Sequence, residues 1–195
     1  PLGLAAGQVI PCREWRELYA ALDCGAVAAI HPFYTAAVRE FEDAGKPIIG
    51  SAPVGVEGTN SWIDSVGDTF NIAKKIIGEA KQKILPQIQK SLDDKKINNK
   101  ITVSGYEGSE LIVARTLIEA GAEVPYVGTA CPKTKWSTED KDWLESRGVF
   151  VKFRASLEDD ISAVKSVNPD LAIGTTPVVQ KAKELGIPSL YYTNL

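Results

Sequence analysis

Between residues 101 and 192 the chain repeats one unit: a short apolar run, a turn of small residues, then a segment whose apolar positions recur at helical spacing. Runs 101–104, 123–128, 149–154, 170–174 and 187–192 read as strands, with helices at 109–120, 138–147, 157–167 and 178–185 between them. Strands that each wait for a helix before the next pair in parallel, with helices on both faces of the sheet. The fold class is therefore α/β: Rossmann-like doubly wound parallel sheets, one complete domain plus part of a second. Local signals agree. Ser137 with Asp140 and Ser156 with Asp159 read as capping boxes, Gly121, Gly148 and Gly186 stand where helices should stop, and Pro177 sits in a first helical turn.

Upstream the same alphabet is shorter. Residues 15–22 read as a helix, 26–30 as a strand, 34–44 as a helix closed by Gly45, and 46–51 as a strand. The turn-rich stretch 52–60 leads to an N-cap at Thr59 or Asn60 and a helix to about Val66. From Phe70 to Leu92 the spacing is helical, with Pro86 expected to start, kink or divide it. The expected organisation is a partial Rossmann-like domain over 1–68, a helical bridge over 69–98 and a Rossmann-like domain over 99–195. The chain opens at Pro1 without an initiator Met, and it reads as a piece of a longer protein.

Charge and composition exclude several function classes. A net charge of −3 and a pI near 5.3 argue against a nucleic-acid surface, and the lysines within 95–100 read as a solvated helix end. No apolar run approaches the ~20 residues of a membrane span, and no secretory signal is visible, so a cytoplasmic location is expected. Cys12, Cys24 and Cys131 are too widely spaced for a local metal-ligand pair or a disulfide framework; no metal ligand is assigned. The single histidine, His31, follows the 26–30 strand, and no Gly-x-Ser-x-Gly elbow exists to give it a nucleophile.

The turn at 105–109, Gly-Tyr-Glu-Gly-Ser, lies at the carboxyl edge of its sheet, where ligands of doubly wound folds bind. It is neither GxGxxG nor a P-loop, since Ser109 is followed by Glu110 and not Lys. Glu107 and Glu110 would repel a polyphosphate, while Glu110 alone suits the helix dipole. Nucleotide binding is disfavoured. Cys131, in the turn after 123–128, falls on the same edge.

Several segments in order resemble the nitrogenase component 1 superfamily. Residues 30–67 are similar to its second-domain segment, in which a P-x-G-[IV]-x-x-T-x-x-[WF]-[IL] pattern is matched by Pro53, Gly55, Val56, Thr59, Trp62 and Ile63. Residues 103–129 and 169–188 resemble its third domain. HPFYTA, SAPVGVEGT, SGYEGSEL, PYVGTACP and AIGTTPVVQKAKE are similar to the Y-type subunits of the chlorophyllide a reductase branch. The resemblance implies part of a catalytic subunit that reduces the C7=C8 double bond of chlorophyllide a in bacteriochlorophyll biosynthesis. It implies a [4Fe-4S] cluster whose ligands lie outside these residues. It also implies a sister catalytic subunit in a heterotetramer and an iron–sulfur electron donor that itself uses the ATP and Mg. The isolated fragment is expected to be inactive.

Where nitrogenase proper has a cofactor-holding cysteine, this chain has Pro32, which cannot ligate a metal through its side chain. That departure leaves room for a tetrapyrrole, whose flat apolar face would suit Phe33, Tyr34 and Tyr106. In the family the glycine turn lines the same cavity, which implicates Gly105, Tyr106, Glu107 and Gly108, with Cys131 beside them. His31 and Glu107 have the chemistry of proton donors. Two other readings remain open: a scaffold for cofactor assembly, which should keep a metal ligand in the cavity, and a two-lobed small-molecule binding protein.

Overall fold

The computed structural model describes residues 1–31 and 35–192. Its larger unit is a five-stranded parallel sheet of β3 (Lys100–Gly105), β4 (Glu123–Thr129), β5 (Phe150–Phe153), β6 (Leu171–Gly174) and β7 (Ser189–Tyr191), in the order β5-β4-β3-β6-β7. Helices α5 (Glu110–Glu119), α6 (Thr138–Glu145), α7 (Leu157–Val167) and α8 (Thr176–Glu184) connect the strands. From β3 the chain winds outward to β5 and then returns to place β6 on the other side of β3. The order therefore reverses between β3 and β6, which makes this pair the topological switch point of the sheet.

Strand periodicity sorts the core. Ile101 and Val103 pack with Leu111, Ala114, Val127 and Leu144, whereas Ala172, one residue out of phase with Ile173, packs with Val164, Val178, Ala182 and Ile187. Both faces of the sheet are thus covered, so its strands read as continuous apolar runs.

The first unit is smaller: α1 (Trp15–Ala21), β1 (Val27–Ala28), α2 (Thr35–Asp43) and β2 (Ile48–Ile49), with β1 and β2 paired in parallel. Only two residues of each expected strand pair. α3 (Gly55–Thr69) and α4 (Lys74–Asp93) follow.

Two local expectations are corrected, the start of α3 and the Ser137 cap. The helix expected from Thr59 or Asn60 begins at Gly55, because Glu119 of α5 supplies its missing cap: the carboxylate accepts the Val56 N–H and, at 3.4 Å, that of Glu57. Gly55 holds φ +64°, and a Cβ there would overlap the Glu119 carboxyl group. Pro86 lies inside α4 without dividing it. Ser137 does not cap α6 by its side chain; it exchanges hydrogen bonds with Thr134 around a 3-10 turn at Lys135–Ser137, which frees Asp140 to point inward. The Ser156–Asp159 box forms as expected.

Candidate functional site

At the switch point the glycine turn is closed from within. Glu110, fully buried at the start of α5, accepts the N–H groups of Glu107 at 2.8 Å and Gly108 at 2.9 Å. These amides would otherwise form an anion cradle; the chain's own carboxylate fills it. A Cβ on Gly105 would overlap Glu110 Oε1, so only glycine lets the carboxylate seat here. A bound phosphate would have to displace this buried carboxyl group from the same amides, which disfavours nucleotide at this turn.

Around that turn the structure gathers most of the expected residues. The Gly105 carbonyl accepts the Ala130 N–H at 2.9 Å, bringing the β4 turn alongside, and the Cys131 thiol donates to the Tyr106 carbonyl at 3.8 Å. Burial holds the thiol pKa above its ordinary value, so Cys131 is a neutral thiol there. The Tyr106 ring is half exposed and Glu107 half-buried. Ser109 and Tyr192 share a hydroxyl–hydroxyl bond that extends this edge beneath β7, and burial raises the Tyr192 pKa.

His31 lines a small cleft with Ala29, Ser51, Ile112, Trp136 and Asp140, between the carboxyl edge of β1 and β2 and helices α5 and α6. About 10 Å³ there is open to a water-sized sphere, room for about one water, and the lining includes none of Tyr106, Glu107 or Cys131. Phe33 and Tyr34 fall outside the described residues.

Asp140 is a buried partner here and not a helix cap, and it gathers Arg115, Ser51 and Trp136, which no local sequence motif marks. Arg115 and Asp140, 1% and 2% exposed, form a buried ion pair, and Asp140 Oδ1 also accepts the Ser51 hydroxyl at 3.0 Å. The guanidinium lies over the Trp143 ring at 4.8 Å, with Arg147 on the same indole at 3.7 Å. Trp143 Nε1 and Arg147 both donate to Glu57 of α3, and these bonds, the indole's first, lower the Glu57 pKa. The only sequence signal for Arg115 was its place four residues after Leu111, on the apolar stripe of α5.

Cys12, Cys24 and Cys131 are free thiols, and among the described residues no group of three or more His, Cys, Asp or Glu side chains is gathered to hold a metal ion. These residues do not fit an iron–sulfur cluster. Among the described residues no helix is long and apolar enough to cross a membrane.

Comparison with known proteins agrees with this architecture. The chain is 65% identical over all 195 residues to the chlorophyllide reductase 52.5 kDa chain of Cereibacter sphaeroides, and 63% identical to that of Rhodobacter capsulatus. It spans 39% of the length of each relative. A solved structure described as nitrogenase Cp1 at pH 6.5 superposes with a TM-score of 0.63 at 19% identity, covering 95% of this chain and 44% of the other, which shows the shared fold. The match to the family description covers residues 1–195, from the first unit through the switch-point sheet, and the chain belongs to the nitrogenase component 1 type oxidoreductases.

Proposed function

We propose that the chain is part of a catalytic subunit of a cytoplasmic, nitrogenase-like reductase that saturates the C7=C8 double bond of chlorophyllide a in bacteriochlorophyll biosynthesis. The observation that carries the reading is the 65% identity over all 195 residues to a chlorophyllide reductase subunit. In this reading 1–68 belongs to a second Rossmann-like domain, 69–98 bridges, and 99–195 is the third.

The site's chemistry supports it. Saturating a C=C bond takes two electrons and two protons. The electrons would be supplied by an ATP-dependent iron–sulfur protein; a [4Fe-4S] cluster, which the free, ungathered cysteines of this chain do not fit, would be held by residues outside the chain and would supply electron transfer there. The heterotetramer with a sister subunit completes the enzyme. What these residues contribute is a surface and acids. The exposed face of Tyr106 beside small Gly105 and Gly108 suits a flat apolar macrocycle. Glu110 seals the turn's amides, so the edge presents the Tyr106 ring rather than a phosphate cradle. Glu107 at this edge and His31 at the cleft beside Ser51 are the proposed proton donors, and Phe33 and Tyr34 are kept as proposed substrate-binding residues on the family resemblance alone. The cleft at His31 is far too small to hold a macrocycle, so substrate would lie across the open carboxyl edge.

The test is turnover by the full-length subunit with its sister subunit, the ATP-dependent donor, ATP and dithionite, following the absorption of chlorophyllide a. Conversion to the C7,C8-reduced product is the expected result. No conversion with an intact cluster would refute the reading and favour a cofactor-assembly scaffold.

A further inference from the structure

We infer that the Ser51–Asp140 contact is a positioning device that sets the carboxyl edge of the small sheet against the switch-point sheet, and with it the location of His31. The inference rests on the reductase reading for its effect on turnover, though not for its effect on structure.

Three observations converge. Ser51 holds φ +60°, a left-handed conformation that a non-glycine residue keeps only when its surroundings fix it. What fixes it is Asp140, which reaches across from the other unit and accepts the Ser51 hydroxyl at 3.0 Å in a buried setting. Arg115 pairs with Asp140 from the same side, and Arg115 in turn packs against α3, where a Cβ on Gly58 would stand 2.9 Å from its Nη2. A hydroxyl bonded to a buried, paired carboxylate is a strong and directional contact.

The geometry carries the constraint from Ser51 to His31. Ala29 N–H donates to the Ile49 carbonyl at 2.8 Å, tying the two strand ends together; Ser51 and His31 each lie two residues beyond that bond. Ser51, Asp140 and His31 line one cleft with room for about one water, so a shift of Ser51 has no slack to absorb it. A misplaced acid lowers the rate of proton delivery without changing how tightly a macrocycle rests on the other edge.

The experiment compares wild type with Ser51→Gly, Ser51→Ala and Ser51→Asn in the full-length subunit assembled with its sister subunit. Glycine accepts the left-handed backbone freely, alanine removes only the hydroxyl, and asparagine tolerates that conformation while offering a donor to Asp140. Amide hydrogen exchange without substrate is expected to speed up about tenfold at residues 29–31 and 50–52 in the Gly or Ala variant, and to slow again in Ser51→Asn. In turnover, kcat falls about tenfold with KM changed by less than about twofold, and asparagine restores most of kcat. Unchanged exchange at 29–31 in whichever of the Gly and Ala variants assembles would overturn the inference, whatever the activity. Faster exchange with unchanged kcat would overturn its functional half. Absence of turnover in wild type would count against the reductase reading alone, and the exchange comparison would still decide the positioning role.

Discussion

Replacing Asp160 by Asn should stabilise the fold at alkaline pH, with a pH dependence that the structure fixes. Asp160, in α7, is 6% exposed and accepts the Tyr126 hydroxyl at 2.8 Å. Burial pushes its pKa up to about 6; the Tyr126 bond works the other way, and the carboxylates of Asp159 and Glu110 add to the rise. Tyr126, itself raised by burial, keeps its proton throughout. Because the folded pKa lies above the ordinary 3.8, the folded chain binds more protons than the unfolded chain between the two values. Stability is therefore full below about pH 3.8 and is lost as pH rises to about 6 and above. At about 1.4 kcal/mol per pH unit the gap amounts to about 3 kcal/mol, of which about 1.4 kcal/mol is lost between about pH 5 and pH 8. Asn keeps an acceptor for Tyr126 and does not ionise. Urea unfolding of both chains, followed by tryptophan fluorescence at pH 5 and pH 8, should show the advantage of Asp160→Asn growing by about 1.4 kcal/mol toward the higher pH. An advantage that does not change with pH would refute the reasoning, because it would mean that Asp160 ionises in the fold as readily as in the unfolded chain.

Other perturbations test other parts of the molecule. Arg115→Ala strands the Asp140 carboxylate in a dry setting and is expected to cost about 3–5 kcal/mol by urea unfolding; a loss below about 1 kcal/mol would mean water reaches the pair. Glu110→Ala leaves the amides of Glu107 and Gly108 without their acceptor, so their hydrogen exchange should accelerate and stability drop by about 2–3 kcal/mol, with unchanged exchange at both amides as the contrary result. It should also lower the Asp160 pKa, read from the pH dependence of unfolding. Pro86→Ala restores a helical N–H in α4 and should stabilise the chain by about 1–2 kcal/mol, part of the full helix-interior cost being offset by the stiffer unfolded chain that proline gives; a lower melting temperature would contradict this.

Sequence alone determined the elements whose information is local. Apolar runs of strand length alternating with helical spacing forced a parallel sheet covered on both faces, because strands that each await a helix have no other way to pair, and the five-stranded sheet forms accordingly. The turn at 105–109 and its place at the carboxyl end of β3 were legible for the same reason, as was the Ser156 cap. Tertiary structure decided whatever depends on partners distant in sequence. The start of α3 moved to Gly55 because Glu119, 63 residues from Val56, caps it, and no local rule reads a cap supplied from that far. Glu110 turned back to fill the amides of its own turn, a choice that depends on its burial beneath the sheet edge. Asp140 passed from apparent cap to buried partner of Arg115 and Ser51, the latter 89 residues away, because a carboxylate in a dry interior binds the nearest cation and hydroxyl whatever its place along a helix. His31 follows β1 and the glycine turn follows β3, and the cleft that His31 lines with Ser51, Ile112 and Asp140 forms where the two sheets meet, through side-chain contacts between units that periodicity within either one does not encode.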